Sequence, residues 1–347
     1  MAHDTSYLFS TLYSQVIAPE SKCRGCGACV LVCPRDRLVF KGGRPEQVSG
    51  DKAVCPENEN GRCGLCAMAC PQLNPHAQPE HSGDEPIIVA ARTTDPELAD
   101  TCQDGGVVSS IARRGLESGR WSSFVGYTRD ETWRPAPLVV TESGDVLKTA
   151  GSKYTHTSID SGLRTLHAQG LASKPFATVG LPCHITALRR LMEMSSKYVK
   201  GMEFCIGLFC SKAFSYQRLV QDKLINEMQV PIRDVRKMAI RKGAFTVTTL
   251  SGTDHRIPVK KLGDYGYEGC ASCGDFSAEL ADISVGGLGT DGWTIVLIRT
   301  AAGKEVMQDA QAAGIIETAD REQFENALAL LDKLTALKRK RAEKHNA

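Results

Sequence analysis

Little in this 347-residue chain favours a charged partner. Lysine and arginine number 42 against 40 aspartates and glutamates, a formal balance of +2. A domain that grips nucleic acid through its phosphates carries a larger basic excess, so no nucleic-acid partner is expected. Long apolar runs are missing too, and none approaches the ~18 residues that a membrane span needs. The opening Met1-Ala2-His3-Asp4-Thr5 lacks the charged-then-apolar layout of a secretory leader, so the expected compartment is the cytoplasm. With 42% hydrophobic and 24% charged residues, the composition is that of a folded chain and excludes a disordered tail. At ~100–200 residues per domain the length predicts two units, large enough to fold on burial without disulfide staples.

Cysteine, by contrast, is abundant, with 14 residues. In a reducing compartment that many thiols point to metal or redox chemistry. Residues 20–75 hold eight of them, in two groups. The first is Cys23-x2-Cys26-x2-Cys29-x3-Cys33-Pro34, which matches the bacterial ferredoxin run throughout. The second is Cys55-x7-Cys63-x2-Cys66-x3-Cys70-Pro71, which keeps the closing half but sets its leading cysteine apart. Two-residue gaps let a tight loop wrap three corners of a 4Fe–4S cube. The fourth cysteine lies on a segment that turns away, and in two-cluster ferredoxins it ligates the other cube. Cys23, Cys26 and Cys29 are therefore paired with Cys70, and Cys55, Cys63 and Cys66 with Cys33. Zinc is the competing reading, since C-x2-C pairs serve it well, but two complete C-x2-C-x3-C-P endings favour iron–sulfur. The insertion Pro56–Arg62 reads as a polar surface loop, and Leu38-Val39-Phe40 as a short strand before a turn.

The polar, proline-bearing stretch 76–86 marks a domain boundary, giving a ferredoxin unit over 1–80 and a second unit over 87–347. Beyond the boundary, strands are expected at 86–91, 177–181, 244–250, 283–285 and 293–299, and helices at 107–118, 185–194 and 322–345. This mixture predicts an α/β (mixed α+β) unit. Gly287-x-Gly289-x-x-Gly292 formally matches a dinucleotide fingerprint, but a strand-like run follows where that fingerprint needs a helix, so it reads as a tight turn. Cys183-His184 is read as neighbours on an extended segment, pointing to opposite sides, a poor nucleophile–base pair. The end of the last helix, Lys338-Arg339-Lys340-Arg341, reads as a solvated tip or a basic docking point. Six cysteines remain, 102, 183, 205, 210, 270 and 273; spacing alone does not say which four would form a third metal site.

Several short stretches of the second unit carry a resemblance. They are Gln103-Asp104-Gly105-Gly106-Val107-Val108, Gly151-Ser152-Lys153-Tyr154-Thr155, Leu181-Pro182-Cys183, Gly207-Leu208-Phe209-Cys210 and Gly266-Tyr267-Glu268-Gly269-Cys270-x-x-Cys273-x-Asp275. Ala278 to Ser284, Asp291-Gly292-Trp293 and Arg299-Thr300 extend it. Together they resemble the family of beta subunits found in the coenzyme F-420-reducing hydrogenase and the F-420-linked dehydrogenases, over about residues 87–345. The ferredoxin segment in front is most similar to the layout of the input component of the reduced-F-420 dehydrogenase. The resemblance implies a bound FAD, a third 4Fe–4S cluster and a docking face for the deazaflavin. It assigns that cluster to Cys183, Cys210, Cys270 and Cys273, leaving Cys102 and Cys205 surplus. It assigns the flavin to Gln103, Asp104, Gly105, Gly106, Gly151, Ser152, Lys153 and Tyr154, with Lys153 as the charge facing pyrophosphate or reduced flavin. Gly105-Gly106 before a helix suits close backbone approach and an anion at the helix start.

The implied cofactors set the logic: F-420 exchanges a hydride, clusters pass single electrons, and FAD converts between the two. An F-420 oxidoreductase subunit of a larger redox complex is therefore expected, cytoplasmic or peripheral on a membrane assembly, with a membrane dehydrogenase, a heterodisulfide reductase or a formate- or hydrogen-linked enzyme as partner. Two other readings stand beside it, an entry flavoprotein using ferredoxin or NAD(P)H, and a non-catalytic iron–sulfur wiring subunit.

Overall fold

The computed structural model describes residues 9–19, 22–48, 63–75 and 85–346. Cys55 and its insertion, and most of the expected boundary stretch, lie outside these residues.

An eight-stranded mixed sheet organises the chain beyond residue 85. In chain order its strands are β3 (Ile87–Thr93), β4 (Ser123–Arg129), β5 (Pro135–Val140), β6 (Phe176–Gly180), β7 (Met202–Leu208), β11 (Ile283–Gly286), β12 (Thr294–Ile298) and β13 (Ile316–Ala319). Their spatial order is β13-β3-β12-β11-β7-β6-β4-β5. The centre, β11-β7-β6-β4, is parallel, and the outer pairings are antiparallel. Central strands such as Phe176–Gly180 are buried throughout, as a parallel sheet covered on both faces requires. Helices Val107–Glu117 and Ala301–Ala312 cover one face, and Asp160–Ala168 and Pro182–Glu193 the other. A separate three-stranded antiparallel sheet, β8 (Val235–Arg241), β9 (Ala244–Thr249) and β10 (Asp254–Pro258), packs with the helical segment Tyr216–Glu227 around its own core.

The strand directions decide where function can sit. β3 runs the same way as β11, because each is antiparallel to β12. The chain leaves β3, β4, β6, β7 and β11 along one edge, where open α/β sheets present ligand-binding loops. That edge carries the Gln103–Gly106 loop after β3, Arg129 ending β4, Cys183 after β6, Cys210 after β7 and Gly287 after β11.

The N-terminal segment carries the expected strand as β1 (Leu38–Lys41), paired with β2 (Arg44–Gln47) across a turn in which Gly42 and Gly43 take positive φ. Its short helices, Ala28–Leu31 and Leu65–Met68, face two ways: Cys29, Val30, Cys66 and Ala67 join Leu12, Val16 and Leu38 in a core of the segment's own. Ala28, Leu31 and Ala69 share a buried cluster with Leu163, Ile185 and Leu188 of the second unit. Polar clamps reinforce that packing. The Ile159 amide donates to the Cys26 carbonyl (3.0 Å), Arg190 to Met68 (2.7 Å), and the Tyr267 hydroxyl to Cys23 (3.1 Å) and Gly43 (2.8 Å). At the tightest point a Cβ on Gly269 would lie 1.9 Å from the Cys23 carbonyl oxygen. Gly269→Ala should therefore destabilise the protein by at least the ~1–3 kcal/mol of an overpacked core, read as a lower denaturant midpoint. A midpoint equal to the wild type would mean that the two loops are not pressed together.

One local expectation is corrected. The helix after β6 begins at Pro182, not Ile185, so Cys183 and His184 occupy its first turn instead of an extended segment. Proline is pre-shaped for this position, and its missing N–H costs nothing there.

Candidate functional site

Three sets of thiols stand close together. In the first, burial and the thiols of Cys26, Cys70, Cys23 and Cys66 push the Cys29 thiol up, and one cavity is lined by Cys23, Cys26, Cys29, Cys70 and Cys183. In the second, Cys33, Cys63 and Cys66 line a neighbouring cavity. In the third, burial and then Cys273, Cys210, Cys270 and Cys26 push the Cys183 thiol up. Cys183 thus belongs to the set at the sheet edge and also faces the first set, while Cys29 links the first set to Cys66 of the second. No disulfide joins any of the described cysteines.

The chemistry of these donors fits iron–sulfur clusters. Buried thiols that oppose one another's ionisation need a cationic core to become thiolates. Backbone amides already point at sulfur, with Arg37 N–H to Cys33 Sγ at 3.2 Å and Ala213 N–H to Cys270 Sγ at 3.3 Å, the kind of contact that tunes a cluster.

Between the first and third sets lies an aromatic stack that sequence reasoning missed. The His156 ring stacks on Tyr267 with centroids 4.2 Å apart, and the ligand atoms of His156, Cys183 and His184 lie within 4.8 Å of one another. Each histidine directs Nε2 at a carbonyl, His156 at Arg24 (3.1 Å) and His184 at Thr157 (2.9 Å). Nε2 must then carry the proton. His184 Nδ1 accepts from Tyr127 Oη (3.3 Å) and Leu181 N (3.4 Å), so it is not a free base for Cys183. His156 Nδ1 is buried without a partner. Burial, and secondarily His184, hold the His156 imidazole down to about 3, so it stays neutral. No sequence signal distinguishes these histidines.

The two glycine-bearing loops assigned to flavin meet around Cys102. Lys237 Nζ donates to the Cys102 carbonyl (3.3 Å), Lys153 and Lys237 both face the Cys102 thiol, and Gly151 approaches the Thr101 carbonyl. Lys153 donates to the carbonyls of Thr149 (2.6 Å) and Ala150 (2.8 Å). Burial, then Arg129, pulls its ammonium down to about 7 against the opposing pull of Cys102. Tyr154 spends its hydroxyl on the Ile240 amide (3.2 Å), tying the three-stranded sheet to this corner. Ser152 lies beside that hydroxyl. Asp104, at φ 50, faces Gly287 and pairs loosely with Arg241 (3.7 Å). The glycine turn 287–292 is thus part of this corner, and a strand follows it as expected.

Gly105 is also required by the sheet. A Cβ there would meet the Ala91 carbonyl at 2.5 Å and Thr294 N at 2.8 Å, so its smallness lets the loop press against β3 and β12. Gly106, at φ +69, starts the Val107–Glu117 helix with no side-chain cap. The helix start is left to an anion or to water. Gln103 Oε1 is buried and unpartnered. Lys153, Lys237 and Arg129 add cationic character, so the corner fits an anionic, hydrogen-bonding cofactor such as FAD.

Known families match in the same regions. Residues 88–164 match the N-terminal model, and 173–323 the C-terminal model, of the coenzyme F-420 hydrogenase/dehydrogenase beta subunit. Residues 17–36 match a 4Fe–4S binding domain. The chain is 34% identical to the coenzyme F-420 hydrogenase subunit beta of Methanothermobacter thermautotrophicus, over 75% of this chain and 93% of that protein. It is 31% identical to one subunit of the F(420)H(2) dehydrogenase of Methanosarcina mazei, over 93% of this chain and 91% of that one. Among solved structures, a chain of the F-420-reducing nickel–iron hydrogenase complex from Methanosarcina barkeri superposes with a TM-score of 0.70 at 33% identity, covering 78% of this chain and 94% of that chain. The chain is a member of the family of coenzyme F-420 hydrogenase/dehydrogenase beta subunits.

Proposed function

We propose that this chain is the electron-input subunit of an F-420-dependent redox complex. It exchanges a hydride with F-420 through bound FAD and passes single electrons through three 4Fe–4S clusters to a partner protein. The observation that carries this reading is the continuity of the thiol sets. Cys183, Cys210, Cys270 and Cys273 adjoin Cys23, Cys26, Cys29 and Cys70, which adjoin Cys33, Cys63 and Cys66. Cys55 is assigned to the last set from its place in the motif. The similarity to an F(420)H(2) dehydrogenase component across 93% of the chain, N-terminal segment included, supports the same layout.

Gln103 to Gly106 and Gly151 to Tyr154 hold the flavin, with the open start of the Val107–Glu117 helix and Lys153 supplying positive potential. When bound, FAD supplies the conversion of a two-electron hydride into single electrons. The protein's own work is to orient, to exclude water and to order the exits. His156 and Tyr267 fill the space between the first and third thiol sets with neutral, stacked rings, keeping water out of the gap. The exit from the second set leads to the partner, which would be a membrane dehydrogenase, a heterodisulfide reductase or a formate- or hydrogen-linked enzyme. Among the described residues no helix is long and apolar enough to cross a membrane.

Anaerobically purified protein, analysed for iron and flavin and mixed separately with reduced F-420, reduced ferredoxin and NAD(P)H, tests the proposal. It should hold about twelve irons and one FAD per chain, and only reduced F-420 should bleach the flavin promptly. Iron near four per chain would remove the wire. Clusters without flavin would leave a wiring subunit, and bleaching by NAD(P)H or ferredoxin instead would reassign the donor.

A further inference from the structure

The run Lys338-Arg339-Lys340-Arg341 is a solvated tip only in part: Arg339 and Lys340 are exposed, but Lys338 is buried. In the Glu325–Asn346 helix Lys338 is only 4% exposed, and its Nζ donates to the Cys210 carbonyl at 2.5 Å. One turn on, Arg341 donates to the carbonyls of Ser211 (2.9 Å) and Cys270 (3.4 Å). Ala342 is buried against Gly274, and Arg339 holds Glu279 at 2.6 Å. The helix therefore lies across two of the three segments that carry the third thiol set, the loop of Cys210 and the loop of Cys270 and Cys273.

A buried ammonium needs a counter-charge, because removing it from water costs several kcal/mol. Among the described residues no carboxylate comes within ion-pair distance of Lys338. Asp275 faces Lys338 beyond ion-pair distance, shares its charge with Arg299 and accepts from the Glu279 amide. The groups that act most strongly on the ammonium are the thiols of Cys210, Cys273, Cys270 and Cys183. A cube held by four thiolates is anionic, and gains one more negative charge on reduction. A cation fixed in a low-dielectric pocket beside it favours the reduced form.

We propose that Lys338 is a positioning residue that raises the reduction potential of the cluster held by Cys183, Cys210, Cys270 and Cys273, by locking a buried positive charge onto the Cys210 loop. This rests on the cluster assignment made under Proposed function. The step it biases is a single-electron transfer in which the donor is oxidised and the cluster reduced; no bond is made or broken, and Lys338 keeps its proton. Arg341 and Arg339 hold the helix in register, so that the ammonium cannot swing out to solvent.

The test is an EPR-monitored redox titration of anaerobic full-length protein. Wild type is compared with Lys338→Met, which keeps the length without the charge, and Lys338→Arg, which keeps the charge. Cys273→Ser identifies which signal belongs to the third set. In Lys338→Met that signal should shift to lower potential, with at least a tenfold lower reduced-to-oxidised ratio at the same poise, equivalent to ~59 mV for one electron. The other two signals should stay in place, and Lys338→Arg should titrate close to wild type. Loss of that one cluster in the methionine variant but not in the arginine variant would also support a role of charge. Three clusters with unmoved potentials in Lys338→Met, or loss of the cluster in both variants, would overturn the inference alone. Wild-type protein with iron for only two clusters would overturn the cluster assignment first, and this inference with it.

Discussion

Serine in place of Cys273 should remove about a third of the iron and block the exit of electrons, while reduced F-420 still bleaches the flavin. Cys273 is buried among Cys183, Cys210 and Cys270. A hydroxyl is a far poorer ligand for iron than a thiolate, and a cube held at three corners in a reducible site is readily lost. The first set should survive, because its loop is clamped through the Cys26 and Cys23 carbonyls by Ile159 and Tyr267, not through Cys273. Reduction of a one-electron dye should fall by more than the ~10–100-fold that outer-shell changes alone cost at metal sites. Stopped-flow absorbance separates the two half-reactions. Full iron with normal dye reduction would show that Cys273 is not a ligand, and loss of flavin bleaching as well would assign it a wider structural role.

Lys153→Met should weaken FAD binding by about tenfold or more at pH 6, ~1.4 kcal/mol, and should flatten its pH dependence. Burial and Arg129 place the Lys153 ammonium at about 7, so it is charged below that value and neutral above it. A pyrophosphate binds the charged form. Wild-type affinity should therefore begin to fall as the pH rises through about 7, the free-protein value. Binding of the anion raises the lysine's pKa, and the fall levels off above that raised value, its total size equal to the affinity that the charge contributes. Methionine cannot titrate, so only the baseline affinity should remain. FAD titrations of deflavinated protein at several pH values measure both effects. Parallel pH curves in the two proteins would exclude Lys153 as the charge that receives the cofactor.

How much of this was legible depended on how local each feature is. The first cysteine run could be read because four ligands lie within eleven residues and their spacing mirrors the geometry of one loop. The strands 283–286 and 294–298 stood out as apolar runs between turn residues. The third thiol set was hidden from spacing. Cys183 and Cys210 meet only because β6 and β7 are parallel neighbours, and Cys270 and Cys273 arrive from a loop beyond the three-stranded sheet. Strand order, which no short pattern encodes, creates that site. The misreading of Lys338 was avoidable. Ala327, Leu331, Leu334, Lys338 and Ala342 follow one another at helical intervals of three or four, so the lysine continues the apolar stripe to which Ala327 and Leu331 belong. His156 was unreadable, since its place depends on Tyr267, more than a hundred residues away.

The parallel neighbourhood of β6 and β7 has a consequence for biogenesis. The N-terminal loop that carries Cys23, Cys26 and Cys29 is a local wrap, and Cys70, which lines the same cavity, follows within the N-terminal segment. The pocket shared by Cys183, Cys210 and Cys273 does not exist until the central strands have zipped together, and long-range pairing of this kind is slow. If the proposed clusters are present, their installation has an intrinsic order: the site formed by Cys183, Cys210, Cys270 and Cys273 can be filled only in a chain whose central sheet has already folded.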